Sequence, residues 1–162
     1  MSLLAYSLSA VVAFLGLFVG AFLARATKEE MPTATRYFPW LQKILFLIMV
    51  AVFFQHFKVS IIIRFVIYAV LLFSLLRKET INFYIVLAVF FFMLGQANQS
   101  MFTVATLIFL YGFPTGSLLV AKGKKLSRQK VIKKILKQYG LFLIISIGLQ
   151  VLYSIFVLKS FS

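Results

Sequence analysis

The sequence predicts an all-α fold: a polytopic membrane protein, a bundle of about six transmembrane helices with a basic amphipathic cytoplasmic segment between the fifth and sixth. Three observations predict it. Apolar residues make up 63% of the 162 and charged residues only 12%, whereas soluble domains run at roughly 45–50% apolar and about 25% charged. The apolar residues fall in runs, most of them close to the roughly 20 residues a helix needs to cross a hydrocarbon core about 30 Å thick. Finally, seventeen Lys and Arg stand against three Glu and no Asp, and they gather in alternate connections, the pattern the positive-inside rule describes.

The first run, Leu3 to Ala24, is uncharged and is followed at once by Arg25 and Lys28. A cleavable signal would carry its basic stretch before a shorter apolar core, so this run reads as a retained first helix. Its Gly16 and Gly20 form a Gly-x-x-x-Gly spacing, one turn apart, against which another helix can pack closely. A loop is expected from Arg25 to Trp40, because it holds Glu29, Glu30, Pro32 and Pro39 and ends on the single tryptophan. Trp40 lies where aromatic side chains anchor a water interface.

Further helices are expected at about 41–57, 59–76, 81–96, 101–120 and 141–158, all in one domain spanning 1–162. A tight polar turn around His56, Lys58 and Ser60 separates the second from the third, and Arg77, Lys78 and Glu79 close the third. The fourth is short and ends in the polar, uncharged turn Gly95 to Ser100. The fifth contains Gly112, Pro114 and Gly116 as a candidate helix break, with kinking and close packing as its ordinary consequence. Eight basic residues follow in the longest connection, Ala121 to Gln138: Lys122, Lys124, Lys125, Arg128, Lys130, Lys133, Lys134 and Lys137. Val131, Ile132, Ile135, Leu136 and Tyr139 recur there at the spacing of one helical face, with Ser127 placed as an N-cap. Such a segment either lies on an anionic membrane surface or forms a basic lead-in to the sixth helix.

Counted by side, fourteen of the seventeen basic residues fall in the first, third and fifth connections or beside them. Those connections are therefore expected in the cytoplasm and both termini outside, in a prokaryotic plasma membrane. The net charge of +14 would in a soluble protein point to nucleic acid. Beside apolar spans it reads as topology and contact with anionic lipid of the cytoplasmic leaflet, and no nucleic-acid partner is expected.

The residue inventory narrows the chemistry. Ion coupling in a membrane normally uses an intramembrane carboxylate, and Glu29, Glu30 and Glu79 all fall in expected loops. With one His and no Cys or Asp, neither a zinc site nor an activated nucleophile is readily assembled, so no catalytic residue, metal or cofactor is assigned. Arg64 stands out, about 7–8 Å into a predicted span, where it either snorkels or serves as a functional cation. Gln55, His56, Lys58 and Arg64, with Gln96, Asn98 and Gln99 from the next outer turn, form a candidate outward cluster for a phosphate, carboxylate or headgroup. Three functions follow. The first is a non-catalytic subunit or scaffold of a membrane complex in contact with anionic lipid, with a protein partner or a second copy. The second is a small carrier, channel or substrate-binding membrane subunit for a small or anionic solute. The third is a lipid-modifying enzyme using Glu29 or Glu30 as base.

Overall fold

The structure is a computed structural model that describes residues 3–27, 29–57, 60–64, 67–69, 83–96, 98–122 and 127–160. Its six long elements are α1 (Leu3–Ala26), α2 (Met31–His56), α3 (Phe83–Gly95), α4 (Asn98–Lys122), α5 (Arg128–Tyr139) and α6 (Leu141–Ser160). Among the described residues there is no strand. Three helices among the described residues are long and apolar enough to cross a membrane: α1, α2 and the Met101–Ala121 part of α4. A fourth crossing results if α5 and α6, which meet at a 43° bend, count as one broken span, and α3 is a shorter apolar helix. Most of the expected third helix, 59–76, lies outside the described residues; 61–64 and 67–69 are helical.

Where α2 begins is the largest departure from the expected boundaries. Residues 31–40 are helical, not loop, and the connection to α1 shrinks to a turn in which Glu30 N–H donates to Thr27 O at 3.2 Å. Pro32 sits in the first helical turn, where a missing N–H costs nothing because that group has no intrahelical partner. Pro39 lies inside the helix. It removes one bond from the ladder, and Thr35 Oγ1 donates to Pro32 O at 2.8 Å in the preceding turn. Glu29 and Glu30 are exposed at this N-terminus, where negative charge complements the helix dipole. At the boundary between the expected fourth and fifth helices, α4 starts at Asn98, so Asn98 to Ser100 form its first turn and the connection from α3 is correspondingly short.

Ring and side-chain contacts fix the helix directions. Gly16 and Gly20 of α1 meet Phe109 and Phe113 of α4 in the same order, so these helices run parallel. Gln42 reaches Thr115, seven residues from the end of α4 yet eleven from the start of α2, so α2 runs antiparallel to α4. Phe46 packs on Phe83 and Phe53 on Phe90, with centroids 4.6 and 4.5 Å apart, which aligns α3 with α2. Phe142 packs on Tyr84 while Gln96 bonds Gln150, and this aligns α6 with α3. The start of α1 and the end of α6 therefore share one end of the bundle. Arg25, the start of α2 with Arg36, and all of α5 lie at the other.

The core is built on α1. Ala10, Ala13, Leu17 and Ala21 are buried along one side of it, and the three alanines let neighbouring backbones come close. Tyr6, Phe14, Phe46, Phe91 and Phe142 fill the space around that spine. Much of the outer surface is apolar, with Leu4, Ile144, Leu152 and Phe156 all at least 65% exposed, as expected of helices whose solvent is lipid.

Candidate functional site

The basic segment is the most sharply defined surface feature. Ser127 caps α5 with extended backbone (φ −60°, ψ 159°), and its side chain accepts from Lys130 N–H at 3.4 Å. Val131 and Ile135 are buried against the bundle, which seats the helix. Arg128, Lys130, Lys133, Lys134 and Lys137 are exposed. Of the five apolar positions expected on one face, Ile132 and Leu136 are not in the core; they are 41% and 51% exposed. At 100° per residue they form a flank beside the buried stripe, so one side of the helix offers apolar surface and the rest offers lysine. Lys122 ends α4, and Lys124 and Lys125 lie outside the described residues. Near the same end, Tyr37 and Trp40 are each 61% exposed. The Lys43 ammonium stands 5.2 Å from the centre of the Trp40 ring, a cation–π contact of the kind that anchors helices at a headgroup layer.

The candidate outer cluster is laid out differently from its sequence reading. Gln55 and His56 are exposed at the end of α2, and the His56 ring stands edge-on to Phe57 with centroids 5.2 Å apart. Arg64 is half-buried, and its backbone N–H donates to Ser60 O at 3.1 Å. Lys58 lies outside the described residues, and of Asn98 and Gln99 only the helical backbone is described. Gln96 donates through Nε2 to Gln150 Oε1 at 2.7 Å. Gln150, which sequence reasoning missed, is buried on α6, and Ser154 Oγ donates to its carbonyl at 2.9 Å.

The Gly112–Pro114–Gly116 segment is helical throughout, with Pro114 inside α4. Its glycines face those of α1: a Cβ on Gly112 would stand 2.6 Å from both the Gly16 carbonyl carbon and the Leu17 nitrogen. Ser117 Oγ donates to the Gly20 carbonyl at 2.8 Å, joining the same two helices. Ser117→Ala is expected to cost about 0.6 kcal/mol, the average for interhelical side-chain bonds in membranes. A reversible denaturation midpoint in mixed micelles measures it, and a Ser117→Thr variant should keep part of the stability.

A second buried polar group lies nearer the basic end. Gln42 Nε2 donates to Thr115 Oγ1 at 2.7 Å, and Thr115 donates in turn to Tyr111 O at 2.8 Å. Tyr84 of α3 stands beside them, its ring 5.6 Å from Tyr111 of α4 and 4.7 Å from Tyr139 of α5. The buried Tyr84 hydroxyl makes no hydrogen bond of good geometry, and Thr115 Oγ1, which accepts from Gln42 alone, lies close to it with a lone pair to spare. The Tyr6 hydroxyl, buried near the opposite end, likewise makes none. Tyrosine was counted with the apolar residues in reading the sequence, which hid this cluster. A usable signal was that Tyr84, Tyr111 and Tyr139 all lie within a few turns of the basic connections.

With this geometry in view, comparison with known protein families, with curated proteins and with solved structures gives no match.

Proposed function

We propose that the chain is a non-catalytic integral membrane protein, a subunit or scaffold held by its α5 helix against the anionic cytoplasmic leaflet. One observation carries the reading: α5 is seated by Val131 and Ile135 while its lysines and the Ile132–Leu136 flank remain exposed. Lysines at headgroup level are worth about 1 kcal/mol each toward anionic lipid, and an apolar flank buries itself just below the phosphates. In this reading the basic end of the bundle is cytoplasmic and both termini are outside, an orientation that the fourteen-to-three distribution of Lys and Arg supports.

Six crossings are part of the proposal. The shared direction of α2 and α3, both running away from the basic end, supports a crossing between His56 and Phe83. Those twenty-six intervening residues include the apolar run 59–76, and they are long enough for a crossing at about 1.5 Å per residue.

The test is the lipid preference of the purified chain in nanodiscs. Melting temperature and co-purified lipid are compared between phosphatidylglycerol-rich and phosphatidylcholine bilayers, for the parent and for a Lys130→Gln/Lys133→Gln/Lys134→Gln/Lys137→Gln variant. The parent is expected to prefer the anionic bilayer, and the variant to lose at least about tenfold of that preference at low salt. Equal preference in the two proteins removes α5 as the contact.

A further inference from the structure

We propose that Arg36, Trp40 and Lys43 of α2 form a site for the phosphate of one anionic phospholipid. It is separate from the lysine surface of α5, which packs mainly on α1, α4 and α6, whereas α2 packs mainly on α4 and α3. The assignment does not rest on α5 binding lipid.

The three side chains share one face. At 100° per residue Arg36, Trp40 and Lys43 fall within about 60° of one another around α2. Arg36 and Trp40 are exposed and Lys43 is half-buried. Beside this polar column runs an apolar one, in which Leu41, Ile44 and Ile48 are all exposed. A headgroup column next to a tail column is the surface a single phospholipid fits.

The depth of Lys43 identifies what the column binds. Only uncharged residues, Ile44 to Phe54, separate it from the polar end of α2 at Gln55 and His56, a length of about 18 Å at 1.5 Å per residue. A hydrocarbon core is about 30 Å thick, so with Gln55 and His56 at one surface the Lys43 backbone lies roughly 10 Å below the other. A lysine there is costly unless its ammonium rises to the headgroups or meets an anion. Helical side chains lean toward the N-terminus, which in α2 is the basic end, and the Lys43 ammonium stands 5.2 Å from the centre of the Trp40 ring, one turn higher. The ring attracts the cation but does not neutralise it.

No carboxylate among the described residues pairs with Lys43 or Arg36, and the Lys43 ammonium makes no hydrogen bond there. Glu29 and Glu30, exposed at the start of α2, lie about 20 Å along the helix from Lys43. The anion that the bilayer itself supplies at the level of Trp40 is phosphate. Lys43 reaches it from below and Arg36 from above, while an acyl chain of the same molecule follows Leu41, Ile44 and Ile48. A zwitterionic headgroup brings its own cation to this pair, so an anionic lipid is favoured.

Trp40 is the single tryptophan of the chain, so its emission reports this site alone. The purified chain is reconstituted in phosphatidylcholine bilayers holding a small fraction of phosphatidylglycerol or of phosphatidylcholine, brominated on the acyl chains near the carbonyl, and quenching of Trp40 is compared. Brominated phosphatidylglycerol is expected to quench with about tenfold higher apparent affinity at low salt, the size of one or two basic residues. Arg36→Gln/Lys43→Gln should erase the difference, and Lys43→Arg should keep it. The Lys130→Gln/Lys133→Gln/Lys134→Gln/Lys137→Gln variant should also keep it. Equal quenching by the two lipids in the parent overturns the site without needing any variant. So does a preference that survives in Arg36→Gln/Lys43→Gln, or one that disappears when only the lysines of α5 are changed. Relief of quenching by inorganic phosphate, beyond that given by chloride at equal ionic strength, would mark a site for soluble phosphate and overturn the lipid assignment.

Discussion

Gly112→Leu and Gly116→Leu are each expected to abolish recovery of a folded, monodisperse chain, whereas Gly148→Ala should behave as the parent does. The reason lies in what surrounds each added side chain. At Gly112 the first carbon would stand 2.6 Å from two backbone atoms of α1, and at Gly116 it would meet the Leu17 carbonyl and stand 2.9 Å from the Ala21 nitrogen. Backbone of a neighbouring helix cannot rotate aside as a side-chain terminus can. Relief therefore requires α1 and α4 to separate along their length. That movement would also break the Ser117–Gly20 bond and open the packing around Leu17 and Ala21, which are buried in the present arrangement. Overpacking in an ordinary core costs about 1–3 kcal/mol. Here the cost is expected at or above the top of that range, because the strain falls on the central helix of the bundle. A Cβ on Gly148 meets nothing within 4 Å, so the methyl added there tests only helix propensity, where alanine is favoured over glycine. Size-exclusion profiles and melting temperatures of the three variants decide the matter. A well-behaved Gly116→Leu protein would show that the close α1–α4 approach is not required.

The two glycine pairs also mark how far the sequence could be read. Gly16–Gly20 and Gly112–Gly116 were each visible as packing surfaces, because a spacing of four puts two flat patches on one helix face. That they face one another was not visible, since nothing local to either helix specifies its neighbour. The same limit hid the Gln42–Thr115 and Gln96–Gln150 bonds, which depend on the rotation of two helices at once. Local signals transferred well where the physics is local. The Ser127 cap and the buried stripe of Val131 and Ile135 lie where a 3.6-residue period puts them. Local signals misled where a residue type has two uses. Pro32 and Pro39 read as loop residues, yet one occupies a first turn and the other is accommodated inside α2. Tyrosine likewise reads as apolar bulk until the Tyr84 ring is found against Tyr111 and Tyr139 of two other helices.

Cysteine-accessibility labelling is expected to give an all-or-none result, because the chain contains no cysteine of its own. Single substitutions Thr33→Cys, Gln129→Cys, Thr80→Cys and Ser60→Cys place one thiol each at the start of α2, on α5, after the 59–76 run and just beyond α2. In intact cells an impermeant maleimide should label Ser60→Cys alone, and the other three should label only after permeabilisation. The argument rests on charge. Arg25, Lys28, Arg36, Arg77, Lys78 and the basic residues of 122–137 all neighbour the three protected positions. Lys and Arg near the ends of spans are retained on the cytoplasmic side during insertion. Thr33, Ser60 and Gln129 are exposed, so a protected thiol at any of these three reports the side of the membrane rather than burial. The reciprocal pattern, with Thr33→Cys and Gln129→Cys labelled from outside, would reverse the orientation and leave the lysines of α5 without the anionic leaflet proposed for them. Labelling of Thr80→Cys together with Ser60→Cys in intact cells would mean that the chain between α2 and α3 does not cross. That result would conflict directly with α2 and α3 running in the same direction, because α3 could then start at the basic end only if one of the two helices were turned over.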